Sequence, residues 1–133
     1  MSRSIDRILS QAIFYCDGID YSLIKLPARA ITTAAGIVAE IGEPFGALIV
    51  DKDEVTLLTY SEAVDAFSRR LGYATVYPTP YRLITIDVEL DPTLTGFIAY
   101  IGRALADARI SILPYAAYTR DHLLVRQRRL TKQ

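Results

Sequence analysis

In residues 81 to 126 the spacing of the apolar residues changes from that of a strand to that of a helix and back again. This pattern limits the folds that the chain can adopt more than any other feature. In YRLITIDVEL apolar and polar residues alternate, which predicts a strand with one buried face. From Leu94 to Ala108 the apolar residues follow helical spacing, which predicts an amphipathic helix on that sheet. β-branched and aromatic residues return in ISILPYAAYT, and a turn at Arg120 and Asp121 leads into a last strand. The predicted order is strand, helix, strand, strand.

The first 80 residues contain a fuller version of the same order. The predicted elements are a strand over residues 21–27, a helix over 31–41, strands over 47–50 and 55–60, a helix over 62–71 and a strand over 73–77. Gly42 is expected to end the first helix, and Ser61 is expected to cap the second. The prolines at 78 and 80 predict the end of this unit, because proline cannot continue a strand ladder.

The N-terminal 28 residues permit two interpretations. Apolar residues between Ile5 and Ile13 follow helical spacing, whereas Asp17 and Gly18 between two apolar runs form a strong hairpin signal. We favour a short helix or coil followed by a hairpin at Asp17 and Gly18. The single cysteine, Cys16, is expected to be a small buried residue, and it excludes an intrachain disulfide or a multi-cysteine metal site.

The run DPTLTGFIAYIGRALADARISIL, in which Gly96 opens a helix and ISI returns to the sheet, resembles the signature of an ACT domain. The ending YTRDHLLV and the earlier run YSLIKLP resemble strands of a group of short tandem-ACT proteins, which are related to amino-acid-sensing ACT regulators. The resemblance implies an α+β, ferredoxin-like ACT fold (βαββαβ) in tandem units. Such units have antiparallel sheets with helices on one face.

On this resemblance, residues 1–80 form a first ACT-like unit and residues 81–133 form a second unit that lacks its last helix and strand. Only RQRRLTKQ remains after the last predicted strand, and eight residues are too few for both elements. The second unit is therefore truncated, or it is completed by the first unit or by another copy of the chain. Because an open sheet edge is a liability in solution, we expect a homodimer, or side-by-side pairing of the two sheets within the chain.

Charge and hydropathy argue against several classes of partner. The chain has 15 basic and 15 acidic residues and a formal net charge of zero, so there is no electrostatic reason to expect nucleic acid or an anionic membrane as a partner. No uncharged apolar run reaches the roughly 20 residues of a membrane-spanning helix. Charged residues interrupt the N-terminus, which argues against a secretory signal. We therefore expect a cytoplasmic protein.

The sequence contains no recognisable catalytic motif. Its one histidine, His122, has no nucleophile in a suitable local context, and glycine-rich phosphate loops and paired cysteines are absent. The acidic turn over residues 51–54 is expected to be solvated and not to hold a metal. We expect a protein that is not an enzyme and that uses no cofactor or metal; a small enzyme is the least favoured alternative.

The loop from Asp91 to Phe97 is the predicted ligand site. Backbone N–H groups at a helix start have no intrahelical partner and can bind a carboxylate, and Gly96 allows close approach. The ammonium group of an amino acid also needs a carboxylate or carbonyl groups opposite it, which Asp91, or Asp121 from the neighbouring turn, can supply. By the resemblance, Ser111 and Ile112 line the same pocket, and residues 119–121 meet the other end of the ligand. The predicted site residues are Asp91, Thr95, Gly96, Phe97, Ser111, Ile112, Thr119 and Asp121.

These features predict a small regulatory protein that binds an amino acid or a similar small effector at an ACT-ACT interface. In the alternative, Asp91 only caps the helix and Gly96 only allows close packing. The protein is then a ligand-free oligomerisation or interaction module that acts on a partner protein.

Overall fold

The structure of the protein is a computed structural model, and it describes residues 14–41, 45–86 and 97–126. A short 3-10 helix at Ala28–Ala30 follows the first strand. The strands and α-helices are β1 (Phe14–Pro27), α1 (Ile31–Ile41), β2 (Ala47–Val50), β3 (Glu54–Tyr60), α2 (Ser61–Ala66), β4 (Thr75–Val76), β5 (Tyr81–Ile86), α3 (Phe97–Asp107), β6 (Ile112–Ala116) and β7 (Asp121–Arg126).

The described residues form two compact units. The first unit comprises Ile19–Tyr81, and the second comprises residues 14–18 together with 82–126. Strand β1 is therefore shared by the two units, since its first residues belong to the second. The division of the chain into family units at residues 80 and 81 stays a prediction.

In the first unit the strands have the order β2-β3-β1, and β4 pairs with β1. All of these pairings are antiparallel. Together with the two helices, this arrangement is β-α-β-β-α-β with the strand order of a ferredoxin-like fold, as the sequence predicted.

The core of the first unit lies between the sheet and its helices. Ile24 faces Leu57 and Leu26 faces Val55 across β1 and β3, so alternate residues of both strands lie on one side of the sheet. That side packs against apolar residues of the helical segments, which places both helices on one face. The buried cluster consists of Ile24, Leu26, Ala34, Ile37, Val55, Leu57 and Leu71.

An ion pair connects α1 to the turns that follow α2. Arg70 donates two hydrogen bonds to the carboxylate of Glu40, at 2.9 and 3.0 Å, and its guanidinium lies 5.0 Å from the ring centroid of Phe67. A Cβ atom at Gly36, one turn before Glu40, would lie 3.1 Å from the Arg70 side chain. The glycine therefore leaves room for the ion pair. Because both side chains are well exposed, the pair contributes less than about 1 kcal/mol.

In the second unit the strand order is β5-β7-β6, and α3 packs on β6. Arg109, just after α3, has a φ of 63°, the left-handed conformation that commonly ends helices.

Pro114 is the central residue of β6, an outer strand that pairs with β7. Proline is accommodated in an outer strand where its nitrogen faces away from the paired strand. The outer side of β6 thus lacks an N–H donor at its centre.

Two predictions near the N-terminus are wrong, and the predicted helix over residues 5–13 lies outside the described residues. Residues 14 to 27 form one continuous strand instead of a hairpin, and Gly18 takes a φ of 74° within it. Glycine adopts this conformation at a strand irregularity without steric cost, so an Asp-Gly pair does not have to reverse the chain. Cys16 is exposed and not buried.

The helix predicted over residues 62–71 is shorter in the structure. It spans Ser61–Ala66, and no side chain caps its first turn. The hydroxyl of Ser61 instead lies 2.8 Å from the hydroxyl of Ser22 on β1. A hydrogen bond between distant residues thus takes the place of the predicted cap.

No helix of the described segments is long and apolar enough to cross a membrane.

Candidate functional site

The predicted site residues fall into three groups. Asp91, Thr95 and Gly96 lie outside the described residues. Phe97 is the first residue of α3. The remaining residues surround the hairpin formed by β6 and β7: Ser111, Ile112, Thr119 and Asp121.

The hairpin register separates these remaining residues into two pairs. Ile112 lies opposite Val125, whereas Ala116 lies opposite Asp121 at the turn end. Four residues of a strand span about 13 Å. The structure therefore brings Thr119 and Asp121 together at the turn, and it places Ser111 and Ile112 at the other end of the hairpin.

Asp121 lies on the side of the hairpin that faces α3. A Cβ atom added at Gly102 of α3 would meet the Ile112 side chain at 3.9 Å, so Ile112 faces the helix. Directly opposed residues share a face and side chains alternate along a strand, so the Ala116–Asp121 pair also lies on that face. Four residues connect α3 to β6, which places the end of the helix near Ile112. Its first residue, Phe97, then lies towards the turn.

The carboxylate of Asp121 is half-buried, and within the described segments it accepts no hydrogen bond and forms no ion pair. Burial raises the pKa of this carboxyl group, and the nearby His122 opposes the rise. Partial loss of hydration destabilises the ionised form, and the interaction with His122 offsets only part of this cost. A cationic group brought by a ligand would remove that cost.

His122 follows Asp121 along β7, so its side chain points to the opposite face of the strand. Its Nδ1 atom lies 2.9 Å from the hydroxyl of Thr85 on β5. Burial lowers the pKa of His122; the Asp121 carboxylate acts in the opposite direction, and Arg120 lowers it further. His122 thus connects two strands. Sequence analysis missed the contact with Thr85, because residues so far apart in the chain are brought together only by the pairing of β5 with β7.

The described residues contain no group of three or more His, Cys, Asp or Glu side chains that could hold a metal ion. The acidic turn over residues 51–54 is stabilised internally, because Asp51 Oδ1 accepts hydrogen bonds from the backbone N–H groups of Asp53 and Glu54, each at 2.8 Å. These bonds lower the pKa of Asp51. Asp51 is therefore a turn-forming residue.

Solved structures with the same fold come from several bacteria. A protein from Agobacterium tumefaciens is 21% identical, with a TM-score of 0.67 over 91% of this chain and 82% of its own. A protein of unknown function from Vibrio cholerae, described as a possible transport protein, is 19% identical, with a TM-score of 0.69 over 93% and 86%. The regulatory subunit of aspartate kinase from Thermus thermophilus, in a ligand-free form, is 16% identical, with a TM-score of 0.61 over 85% of each chain.

At these identities the similarity concerns the fold, and it confirms the α+β, ferredoxin-like class predicted from the sequence. No curated protein matches the chain in sequence. The family model of the ACT domain matches residues 76–132, which include β5, α3, β6 and β7. The resemblance to the ACT domain seen in the sequence is thereby confirmed over these residues.

Proposed function

We propose that the protein is a regulatory module that binds a small effector with an ammonium and a carboxylate group, most simply an amino acid. The observation that carries the proposal is the half-buried carboxylate of Asp121 at the turn end of the β6–β7 hairpin, which forms no hydrogen bond or ion pair with the part of the chain that the structure describes. The match to the ACT-domain family model over residues 76–132 supports a regulatory role, as does the fold shared with regulatory subunits of aspartate kinase. In this proposal the chain catalyses no reaction and acts in the cytoplasm.

The carboxylate of Asp121 suits an ammonium group for a physical reason. A desolvated anion gains more from a cation than a fully hydrated one does, because water no longer screens the pair. Hydrogen bonds to charged groups contribute about 1.5–3 kcal/mol, which corresponds to roughly a tenfold to hundredfold change in affinity. Asp121 is therefore the residue whose loss is expected to weaken binding most.

The distance between the two groups of predicted residues bears on where the effector binds. Ser111 and Ile112 lie about 13 Å along the hairpin from Asp121, which is longer than most amino acids. A single effector bound at Asp121 therefore does not reach Ser111 or Ile112 of the same chain. We propose that it binds at the turn end of the hairpin, against Thr119 and Asp121, at an ACT-ACT interface.

The first experiment is thermal unfolding of the protein against each of the twenty amino acids at millimolar concentration. A ligand at 100 times its Kd adds about 2.7 kcal/mol of stability, which raises the Tm of a chain of this size by several degrees. We expect one compound or one chemical class to raise the Tm. Asp121→Asn is expected to abolish most of this rise while the Tm without ligand stays equal or increases, because a half-buried charge has been removed.

The matched control is Asp107→Asn, which removes a well-exposed carboxylate at the end of α3 that pairs with Arg103 at 3.6 Å. This variant is expected to keep the full ligand-dependent rise. If no amino acid raises the Tm, or if Asp121→Asn responds like the unaltered protein, binding of an amino acid at Asp121 is contradicted.

The two outer strands differ in their ability to pair with another copy. β6 is blocked by Pro114, whereas β2 is short, apolar and free of proline, lysine and glutamate. Its outer side pairs with no strand in the described part of the chain, and Ile49 is 45% exposed. Strands of this kind readily add another strand. We propose that two copies pair antiparallel through β2.

Ile49→Lys is expected to shift the protein towards the monomer, since a charged residue on an edge strand disfavours edge-to-edge pairing. Sedimentation velocity over a concentration series measures the change. Ala39→Lys adds the same charge on an exposed position of α1 and is expected to leave the mass unchanged. Equal dimer populations in both variants would exclude pairing through β2.

The open edge also supports the alternative function, a ligand-free interaction module that acts on a partner protein. In that case β2 pairs with a strand of the partner, and loss of the Asp121 carboxylate has no consequence. A partner captured equally by the unaltered protein and by Asp121→Asn, but not by Ile49→Lys, would favour this function over effector binding.

A further inference from the structure

The two units contain hairpins with the same construction. In the first unit, Val50 pairs with Val55 around a turn over residues 51–54; in the second, Ala116 pairs with Asp121 around a turn over residues 117–120. Each turn is closed by a hydrogen bond from the N–H of its first residue to the carbonyl of its fourth, at 3.1 Å in one and 2.8 Å in the other. The turns can therefore be compared position by position.

In the first turn, the chain supplies its own carboxylate. Asp51 Oδ1 accepts from the N–H groups of the third and fourth residues, Asp53 and Glu54. Successive N–H groups that converge on one oxygen form an anion-binding concavity, and the lowered pKa of Asp51 reflects these hydrogen bonds. The first turn thus binds the carboxylate of its own first residue.

In the second turn, the corresponding position is Ala117, which has no side-chain acceptor. Thr119 is the third residue of this turn, and nothing in the described segments accepts a hydrogen bond from its N–H. Arg120 donates from Nη1 to the Thr119 hydroxyl at 3.3 Å, which places a positive charge beside the turn. The second turn has the same strand pairing and closing hydrogen bond as the first, and it lacks the internal carboxylate.

We propose that the turn over residues 117–120 binds the carboxylate of the effector in the place that Asp51 Oδ1 occupies in the first turn. This inference rests on the proposed function and specifies it. The N–H of Thr119 and the charge of Arg120 bind the carboxylate, and Asp121, the next residue, binds the ammonium. The effector is then a compound with the two groups on adjacent atoms, as in an α-amino acid. Compounds with only an amine, or with the two groups far apart, bind more weakly.

The test supplies the missing carboxylate from within the chain. Ala117→Asp places a carboxylate where Asp51 stands in the first turn, and Ala117→Leu adds similar bulk without an acceptor. The probe is acetate, titrated against chloride at equal ionic strength, with the backbone amide signal of Thr119 followed by NMR. We expect a saturable shift of this signal in the unaltered protein and in Ala117→Leu. In Ala117→Asp we expect acetate affinity at least about tenfold lower, since the hydrogen bonds are already made.

A reciprocal variant tests the same geometry in the first unit. Asp51→Ala removes the internal carboxylate and is expected to make the amide of Asp53 respond to acetate, which it does not do in the unaltered protein. A Thr119 amide that does not respond to acetate, or that responds equally in Ala117→Asp, would overturn the proposal and would show that water alone covers this turn.

Failure of this inference can be distinguished from failure of the proposed function. If an amino acid raises the Tm in an Asp121-dependent manner but Ala117→Asp binds it unchanged, the effector site stands and the turn does not bind its carboxylate. If acetate binds at Thr119 in the expected manner and no amino acid binds, the turn is a carboxylate site and the effector is not an amino acid.

Discussion

Replacing Leu57 with alanine is expected to lower the free energy of unfolding by about 3 kcal/mol. Leu57 is fully buried, and it lies between Ile24 on β1 and Leu48 on β2. The truncated side chain loses its transfer free energy, and it leaves a cavity that the paired strands cannot close. Urea unfolding followed by circular dichroism measures the loss.

The control is Ile49→Ala in the neighbouring edge strand. Ile49 lies opposite Thr56 of β3 and is 45% exposed, so truncation is expected to cost less than about 1 kcal/mol. Similar losses in the two variants would mean that the face of the sheet under the helices is not the main source of stability in this unit.

Replacing Thr59 with valine is expected to raise the free energy of unfolding by about 1–2 kcal/mol. Thr59 is only 2% exposed, and its hydroxyl has no hydrogen-bond partner in the described part of the chain. A buried hydroxyl without a partner costs about 1–3 kcal/mol, and valine has nearly the same shape without the hydroxyl. The same urea titration measures the gain.

Thr59→Ser is the control because it keeps the hydroxyl and removes the methyl group, so it is expected to lower stability. Ser22 faces Thr59 across β1 and β3, and its own hydroxyl contacts Ser61. If Thr59→Val instead destabilised the protein, the hydroxyl would have to bind a buried water or the Ser22–Ser61 pair, and the valine would have broken that bond.

Elements with a strong hydrophobic period could be predicted from the sequence. The helix over residues 31–41 and the strands at 47–50 and 54–60 were predicted within about a residue, because each buries one face against the same core. The hairpin at Asp17 and Gly18 was a local signal without support from distant contacts. Residues 14–27 instead form one strand, and residues 21–27 of that strand pair with β3 over their whole length.

The candidate site could be predicted only in part. The turn before β7 was visible in the sequence, and Thr119 and Asp121 lie at that turn. Their separation from Ser111 and Ile112 depends on the length and register of β6, which residue types alone do not determine. That Asp51 and Ala117 hold corresponding positions in their two turns could not be predicted from residue types. Both residues are ordinary turn residues by composition, and their correspondence follows from the shared register of the two hairpins.

Pro114 has a consequence for the size of any assembly. If both outer strands, β2 and β6, were open, each chain could pair with two neighbours and the contacts could propagate into a fibre. Of these two strands, only β2 is open to pairing when Pro114 closes β6. Antiparallel pairing of β2 with β2 is self-complementary. One such pairing occupies the β2 edge of both copies, so the assembly stops at a dimer.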